Sequence, residues 1–134
     1  MLLKRLFFLL LIFGAVSTPT FALDCANIIS SVDFNRCGQL ELDKSDVELN
    51  RVYKSVLNSF DKIIKNKTNI SDKSKLKQSL IESQRFWLKY RDADCSTTYI
   101  FWLDGTIRNQ MYLGCMLSKT EQRIKELKLY NEAG

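Results

Sequence analysis

The sequence contains no histidine, and its single proline, Pro19, lies close to the N-terminus. Without histidine, neither a Ser-His nor a Cys-His nucleophilic pair can be built, and zinc sites that combine cysteine with histidine are excluded. Only five glycines occur among 134 residues, and none of them forms a glycine-rich phosphate-binding loop. Because proline and glycine interrupt regular structure, their scarcity predicts a helical protein.

The first 22 residues differ in character from the rest of the chain. MLLKR provides a positively charged start, Leu6–Phe13 is an unbroken apolar run, and Thr20–Ala22 has the small-x-small pattern of a cleavage site. This organisation predicts a signal peptide over residues 1–22 and a single domain over residues 23–134. The apolar run is shorter than the roughly 20 residues of a membrane span. We therefore expect a periplasmic or secreted protein with no transmembrane segment after cleavage.

The charge of the remaining chain excludes some classes of partner. Removal of Lys4 and Arg5 with the signal peptide would leave 18 basic and 15 acidic side chains, a net charge of +3. Such a mild charge does not indicate nucleic acid binding, and export argues against it. Since no cofactor-binding motif is present, we expect neither a cofactor nor a bound metal.

The chain has four cysteines, and all of them follow the predicted signal peptide: Cys25, Cys37, Cys95 and Cys115. An even number in a small exported domain indicates two disulfides, whereas a zinc site would favour closer cysteine pairs. Cys95 and Cys115 are each ten residues from Gly105. A helical hairpin that turns at this glycine would place them opposite each other, so we predict a Cys95–Cys115 disulfide.

A Cys25–Cys37 disulfide then follows by elimination, and it makes a demand on the chain. A straight helix would hold these two residues about 18 Å apart, whereas a disulfide needs Cα atoms within about 7 Å. The chain must therefore double back between them, at Ser30–Ser31. The alternative pairing, Cys25–Cys115 with Cys37–Cys95, would remove this demand and stays open on the sequence alone.

Hydrophobic periodicity divides the domain into about four helices. They are predicted within Ala26–Gly38, from Asp43 or Ser45 onwards, from Ser71–Ser74 to about Leu103, and after Asp104-Gly105. Ser45 with Glu48 matches a capping box for the second helix. The polar segment Asn66–Lys75 is predicted to be a loop. Because short loops make sequential helices antiparallel, the predicted fold is all-α, a small up-down helical bundle with two disulfides.

The second and third predicted helices form a hairpin, which pairs polar positions across them. The level pairs are Asp46 with Arg91, Asn50 with Trp87, and Tyr53 with Gln84. A buried arginine needs a carboxylate, so we expect a salt bridge between Asp46 and Arg91. Tyr53 and Asn50 are the candidate hydrogen-bond partners of Gln84. The residues of this structural seam are Asp46, Leu49, Asn50, Tyr53, Gln84, Trp87 and Arg91.

A carboxylate-dependent hydrolase is the rival interpretation of these polar residues. Its candidate carboxylates are Asp46, Glu48, Glu82, Asp92 and Asp94. A glycosidase needs two carboxyl groups across a cleft, one of them with a raised pKa. Asp46 instead faces an arginine, which lowers the pKa of a carboxyl group. We therefore do not expect an enzyme. Phe86 and Tyr90 point away from the seam. Packing on the first helix is the preferred interpretation for them, and an exposed partner patch is the alternative.

Several short motifs occur in an order that resembles a known family. They are DFNRC (Asp33–Cys37), SDVELNRVY (Ser45–Tyr53), SQRFWLKYRDADC (Ser83–Cys95), DGT (Asp104–Thr106), YLGC (Tyr112–Cys115) and TEQR (Thr120–Arg123). Together they resemble the lysozyme-inhibitor LprI-like domain of exported bacterial proteins, over about Cys25 to Leu127. The resemblance implies an all-helical, disulfide-bonded envelope domain. It also implies a protein partner, lysozyme or another wall hydrolase, that the domain inhibits.

Such an inhibitor needs a projecting element that fits a sugar-binding cleft. The preferred candidate is the loop that contains Asp104, Gly105, Thr106 and Arg108. A disulfide at its base would preorganise this loop, and Arg108 could engage carboxylates of the cleft. The second candidate loop is Asn66–Asp72.

The charge of the domain keeps a second function open. Common host lysozymes are strongly basic, so an acidic inhibitor would gain from electrostatic steering, which a net charge of +3 does not supply. A local acidic patch of Asp92, Asp94 and Asp104 could serve instead, although solvated surface charge is the simpler interpretation. The alternative function is an envelope structural or interaction domain with an unrelated partner and no lysozyme inhibition.

Overall fold

The computed structural model describes residues 24–66 and 71–132, and this part of the chain contains three helices and no strand. The helices are α1 (Ser31–Asn66), α2 (Ser71–Phe101) and α3 (Arg108–Glu132). The all-α class is confirmed, whereas the expectation of about four helices is wrong. The predicted signal peptide and the middle of the second candidate loop lie outside the described residues.

The first two predicted helices are one continuous helix of 36 residues, α1. Gly38, read from the sequence as a helix end, has no positive φ. It lies where α1 closely approaches α3, since a Cβ atom on Gly38 would be 3.1 Å from Leu113 Cδ1. The glycine therefore serves packing rather than termination. Ser45 and Glu48, the predicted capping box, lie inside α1, and this prediction is wrong.

Ser30 caps the N-terminus of α1 and defines where the chain reverses. Its Oγ atom accepts a hydrogen bond from Asp33 N at 3.1 Å and donates one to Asp33 Oδ2 at 2.6 Å. Because the helix begins at Ser31, the preceding residues fold back along it. Cys25 thereby reaches Cys37, and their Cα atoms are 5.7 Å apart in the disulfide. The predicted reversal at this point is confirmed.

The second disulfide joins Cys95 of α2 to Cys115 of α3, with Cα atoms 5.6 Å apart. The predicted pairing is confirmed, and the alternative pairing is excluded. Residues 102–107 form the turn between the two helices, and Gly105 N donates a hydrogen bond to Trp102 O at 2.9 Å. We call the end of the bundle that carries both disulfides and this turn the disulfide end.

Side-chain pairs establish the directions of the helices. Lys77 Nζ contacts Asp61 at 2.8 Å, and Arg91 Nη1 contacts Asp46 at 2.5 Å, so α1 and α2 run antiparallel. The turn and the disulfide make α2 and α3 antiparallel as well. Consequently α1 and α3 run parallel, and this pair shares the most extensive packing.

Two apolar clusters fill the bundle, and a polar layer lies between them. The cluster near the disulfides contains Leu42, Cys95, Leu113 and Met116. The larger cluster contains Leu49, Val52, Val56, Phe60, Leu80, Ile124 and Leu127. The polar layer contains the buried side chains of Gln84, Arg91, Thr120 and Arg123, which fall between the two clusters along α2 and α3. Among the described residues, no helix has an apolar stretch that could cross a membrane.

The two glycines within helices test the close approach of α1 to α3. Gly114→Ala is expected to raise the free energy of unfolding by about 0.5–1 kcal/mol, because alanine loses less backbone entropy in a helix. No atom within 4 Å opposes its new methyl group. Gly38→Ala should gain less, since its methyl group meets Leu113 Cδ1 at 3.1 Å. Urea unfolding of the oxidised proteins measures both, and an equal gain would contradict the close approach.

Candidate functional site

Arg91 of α2 lies at the centre of the polar layer and connects all three helices. Its Nη1 atom donates to Asp46 Oδ1 of α1 at 2.5 Å and to Thr120 Oγ1 of α3 at 2.7 Å. Thr120 Oγ1 in turn donates to the carbonyl oxygen of Met116 at 2.8 Å. The Arg91 side chain is 8% exposed, whereas Asp46 keeps 38% of its side chain exposed. The expected salt bridge is therefore formed, and its buried member is the arginine.

Arg123 of α3 supplies the hydrogen bond that buried Gln84 needs. Its Nε atom donates to Gln84 Oε1 at 3.0 Å, and its Nη2 atom donates to Ser83 Oγ at 3.0 Å. Asn50 is instead exposed, and Tyr53 packs half-buried against the larger apolar cluster. Arg123 could not be found by pairing α2 with α1, because it lies on α3. The available signal was its position three residues after Thr120 in the TEQR stretch.

Trp87 lies against both arginines. The guanidinium carbon of Arg91 is 5.2 Å from the ring centroid, and that of Arg123 is 5.9 Å away. Such distances allow cation–π attraction, and the same side chain also packs against the larger apolar cluster. Six of the seven seam residues thus form one connected scaffold: Asp46, Leu49, Tyr53, Gln84, Trp87 and Arg91. The predicted pairing of Asn50 with Trp87 inside the bundle is not formed, because the Asn50 side chain is exposed.

Four of the five carboxylates considered for a hydrolase lie next to cations, namely Asp46, Glu48, Asp92 and Asp94. Glu82 instead accepts a hydrogen bond from Gln78 Nε2 at 2.8 Å. Hydrogen bonds from Arg51 are the largest cause that lowers the pKa of Glu48 to about 2. This shift is opposite to the raised pKa of a glycosidase general acid. Asp46 is bound by Arg91. Residues 24–66 and 71–132 also contain no cluster of acidic or cysteine side chains arranged to hold a metal ion.

The acidic patch considered for lysozyme binding is partly neutralised. Asp94 Oδ2 contacts Lys119 Nζ at 2.8 Å, and this lysine also lies 4.6 Å from the ring centroid of Tyr90. Hydrogen bonds with Asp94 and Tyr90 raise the pKa of Lys119. Asp92 Oδ1 lies 3.5 Å from Nε of the buried Arg91 side chain. Of the three acidic residues, Asp104 is the one in the exposed turn.

Phe86 and Tyr90 were expected to pack on a separate first helix, and this expectation is wrong. Both side chains are largely exposed. The reason is that the predicted first helix does not exist as a separate element and instead forms the N-terminal part of α1. Within the described part of the chain no separate first helix therefore covers them, and Tyr90 is instead contacted by Lys119 of α3, 4.6 Å from its ring centroid.

The candidate loop at the disulfide end is shorter than predicted. Asp104 and Thr106 are exposed in the turn, and Gly105 is partly covered. Arg108 is the first residue of α3, half-buried, and its guanidinium carbon lies 5.3 Å from the ring centroid of Tyr99. Its side chain therefore lies along the bundle and does not project from the turn.

A pocket of about 560 Å³ opens at the disulfide end, between all three helices. Four of its lining residues are polar and uncharged, two are tyrosines and two are aliphatic: Asn35, Gln39, Ser96, Asn109, Tyr99, Tyr112, Ile100 and Leu113. The rings of Tyr99 and Tyr112 meet edge to face, with centroids 6.0 Å apart. None of the residues that line the pocket carries a charge.

Several exposed apolar side chains lie at the same end of the bundle as this pocket and the turn. Phe101 is 80% exposed, and Ile100 and Leu103 beside it are also exposed. Ile29 and Val32, at the N-terminal end of α1, are exposed at the same end of the bundle, and Ile29 reaches 92%. A group of exposed apolar side chains of this kind is typical of an interaction surface.

The salt bridge of the polar layer can be tested by removing each partner in turn. Asp46→Ala is expected to lower the free energy of unfolding by about 3 kcal/mol, because it leaves the buried guanidinium of Arg91 without its carboxylate. Arg91→Met should cost less, because the partly exposed Asp46 can be hydrated. Urea unfolding at neutral pH, with both disulfides intact, measures the two variants. Glu41→Ala, which removes an exposed pair with Lys44, is the matched control; an effect of Asp46→Ala as small as this control would contradict the assignment.

Comparison with known proteins identifies the family of the chain. The model of the family described as Lysozyme inhibitor LprI matches residues 24–127. The uncharacterized protein R02472 of Rhizobium meliloti (strain 1021) is 28% identical over 106 residues, which cover 78% of this chain and 76% of that protein. The uncharacterized protein YecT of Escherichia coli (strain K12) is 27% identical over 111 residues, which cover 80% of this chain and 65% of that protein, just under two thirds. No solved structure shows significant similarity to the chain. The chain belongs to the LprI family of lysozyme inhibitors.

Proposed function

We propose that this protein acts in the bacterial envelope, in the periplasm or after secretion, where it binds and inhibits lysozyme or a related peptidoglycan hydrolase. The observation that carries this proposal is the family match, which extends over residues 24–127 and so includes all three helices except the last residues of α3. An inhibitor acts by occupying its partner, so it needs a stable surface and no catalytic group.

The two disulfides of the chain are consistent with export. Two disulfides, Cys25–Cys37 and Cys95–Cys115, join all four cysteines. Disulfides persist in oxidising compartments and are rare in the reducing cytosol. In this proposal, residues 1–22 direct export as a signal peptide and are then removed.

The disulfide end is the surface that we assign to the hydrolase. It combines exposed apolar side chains, above all Phe101, with a turn whose base is held by Cys95–Cys115. Apolar and aromatic anchors provide most of the binding energy in protein interfaces. A rigid base reduces the entropy lost on binding, so the turn is already organised for its partner.

Polar groups at the same end would orient the partner. Asp104 and Thr106 are exposed in the turn. Arg108 is held over Tyr99, so its guanidinium has lost part of its conformational freedom before a partner carboxylate arrives. These side chains form the polar rim around the apolar anchors that is usual in protein interfaces.

An envelope interaction domain with an unrelated partner is the alternative, and charge favours it. The net charge is +3 after signal cleavage, and Asp94 of the only candidate acidic patch is bound by Lys119. A strongly basic lysozyme would therefore not be attracted over a distance. Association with such an enzyme would depend on the apolar disulfide end alone.

A wall-lysis assay tests the proposed function. The oxidised protein is added to several lysozyme types, and the clearing of a peptidoglycan suspension is followed. We expect inhibition that saturates near one inhibitor per enzyme. If no lysozyme type is inhibited by folded, disulfide-bonded protein, the alternative function is favoured.

Substitutions at the turn test the proposed surface. The double variant Phe101→Ser and Leu103→Ser should weaken inhibition at least tenfold, because each removes an exposed apolar anchor. Leu129→Ser is the matched control, since Leu129 is an exposed leucine near the opposite end of α3. Inhibition constants from the same assay decide the matter, and equal values for the double variant and the control would show that another surface binds the hydrolase.

A further inference from the structure

One face of α2 carries apolar and small side chains, none of them charged, along most of the helix. Six exposed residues follow one another at alternating intervals of three and four positions, and we call them the α2 stripe: Ser83, Phe86, Tyr90, Ala93, Thr97 and Ile100. This spacing is the heptad pattern of a helix that packs against another helix along its length. Phe86 is 68% exposed, Tyr90 54% and Ile100 66%, so most of their apolar surface is uncovered in the single chain.

The hydroxyl groups of the α2 stripe already have partners in their own chain. Ser83 Oγ accepts a hydrogen bond from Arg123 Nη2 at 3.0 Å, and the Tyr90 hydroxyl accepts one from Lys119 Nζ at 3.1 Å. The Thr97 hydroxyl donates to the carbonyl oxygen of Ala93 at 3.2 Å, within the helix. Each hydroxyl therefore keeps a hydrogen bond when the stripe is buried against an apolar surface, which removes a large part of the cost of burial.

Lys119 of α3 prepares one edge of the α2 stripe for contact. Its Nζ atom lies 4.6 Å from the ring centroid of Tyr90 and 2.8 Å from Asp94 Oδ2. The ring of Tyr90 is thus held in place before a partner arrives, which reduces the entropy lost on association. The negative charge of Asp94, beside the stripe, is paired within the same chain.

The order of side-chain sizes indicates that the partner is a second copy of the stripe. Along the chain, the sizes are small, large, large, small, small and large. In the opposite direction, they are large, small, small, large, large and small. An antiparallel copy therefore brings a small side chain opposite every large one, in the pairs Ser83 with Ile100, Phe86 with Thr97, and Tyr90 with Ala93. Large and small side chains that face each other interdigitate, and a twofold axis repeats every pair.

The α2 stripe has the area that a reversible dimer needs. From Ser83 to Ile100 the helix rises about 26 Å. With the exposures given above, the six side chains offer on the order of 500 Å² per copy. Two copies would bury about 1,000 Å², which is near the lower limit of specific interfaces. Each chain contains its own apolar clusters and polar layer, so the dissociated monomer stays folded.

We propose that the protein forms an antiparallel homodimer through the α2 stripe. The stripe ends before the turn at the disulfide end, so the dimer is a property beyond hydrolase inhibition and requires no hydrolase. Because the two α2 helices run in opposite directions, the dimer presents one disulfide end at each of its two ends. A dimer of this kind offers two hydrolase-binding surfaces.

Sedimentation equilibrium of the oxidised protein tests the dimer. We expect a monomer–dimer equilibrium with a dissociation constant of about 100 µM or tighter. Ala93→Arg should weaken it at least tenfold, because it places a charge opposite Tyr90 of the second copy, and it should leave the melting temperature unchanged, because Ala93 is exposed. Val47→Arg is the matched control, at an exposed apolar residue of α1. A monomer at about 1 mM, or a dimer that Ala93→Arg does not weaken, would overturn the proposal.

An exchange of the two central side chains tests the antiparallel pairing. Ala93→Tyr alone brings two aromatic rings opposite each other and should weaken the dimer at least tenfold. Adding Tyr90→Ala in the same chain restores a small side chain opposite each ring. The double variant should therefore recover most of the lost affinity. A double variant as weak as Ala93→Tyr would refute this pairing and the proposal with it.

NMR spectroscopy on a mixture of isotope-labelled and unlabelled protein detects the contact between copies directly. We expect a nuclear Overhauser effect between the Phe86 ring and the Thr97 methyl group. Within one chain these residues are about 16 Å apart along the helix, so the signal can arise only between two copies. A dimer without this signal would contradict the proposed interface.

Vesicle binding and wall lysis distinguish the dimer from other uses of the α2 stripe. If the protein stays monomeric and binds vesicles of phosphatidylethanolamine and phosphatidylglycerol, and Ala93→Arg prevents this binding, the stripe lies on a lipid surface and the dimer proposal is wrong. If the protein stays monomeric and Ala93→Arg abolishes hydrolase inhibition, the stripe binds the hydrolase and the dimer proposal is again wrong. If the dimer forms and no hydrolase is inhibited, the dimer proposal stands while the proposed function fails.

Discussion

A buried guanidinium constrains the whole bundle. Arg91 is removed from water, so its charge must be met by a carboxylate and its N–H groups by acceptors. Asp46 of α1 and Thr120 of α3 meet part of this demand at 2.5 and 2.7 Å. Sliding α3 by one turn would bring Met116 or Ile124 to the guanidinium instead. The apolar clusters alone would tolerate such a shift more easily, because hydrophobic packing is not directional. The polar layer therefore determines the register of the three helices.

The disulfides and the polar layer act at different levels of the bundle. Cys25–Cys37 and Cys95–Cys115 close one end covalently, and the larger apolar cluster stabilises the other end. With its helices joined in this way, the disulfide end does not need to bury every apolar side chain in order to stay folded. It can therefore expose residues such as Phe101 and keep an open pocket. The same arrangement explains how a small chain can present a rigid binding surface.

Several residues of the SQRFWLKYRDADC stretch are used for this architecture. Arg91 and Gln84 lie in the polar layer, Trp87 packs beside them, and Asp94 is bound by Lys119. This leaves the turn and the pocket at the disulfide end as the part of the described surface best suited to the hydrolase. Membership of the LprI family is consistent with a binding role of this kind. The proposed binding surface and the polar layer are thus separated along the length of the bundle.

The sequence by itself determined the helical class and the contact of Asp46 with Arg91, and it favoured the disulfide pairing that the structure shows. These features depend on quantities that can be counted in the sequence. They are the scarcity of proline and glycine, the ten residues that separate Gly105 from Cys95 and from Cys115, and the equal distances of Asp46 and Arg91 from the loop between their helices. Two helices joined by a short turn can pair in only one way, so counting residues is sufficient for them.

Tertiary structure decided the features that depend on a third element. From the local sequence, Gly38 is predicted to end a helix. In the structure it instead allows α1 to approach Leu113 of α3. Gln84 accepts a hydrogen bond from Arg123 because of the side of the α1–α2 hairpin on which α3 packs. Sequence separation carries no information on which side that is. The pocket arises in the same way, since it exists only where side chains of all three helices converge.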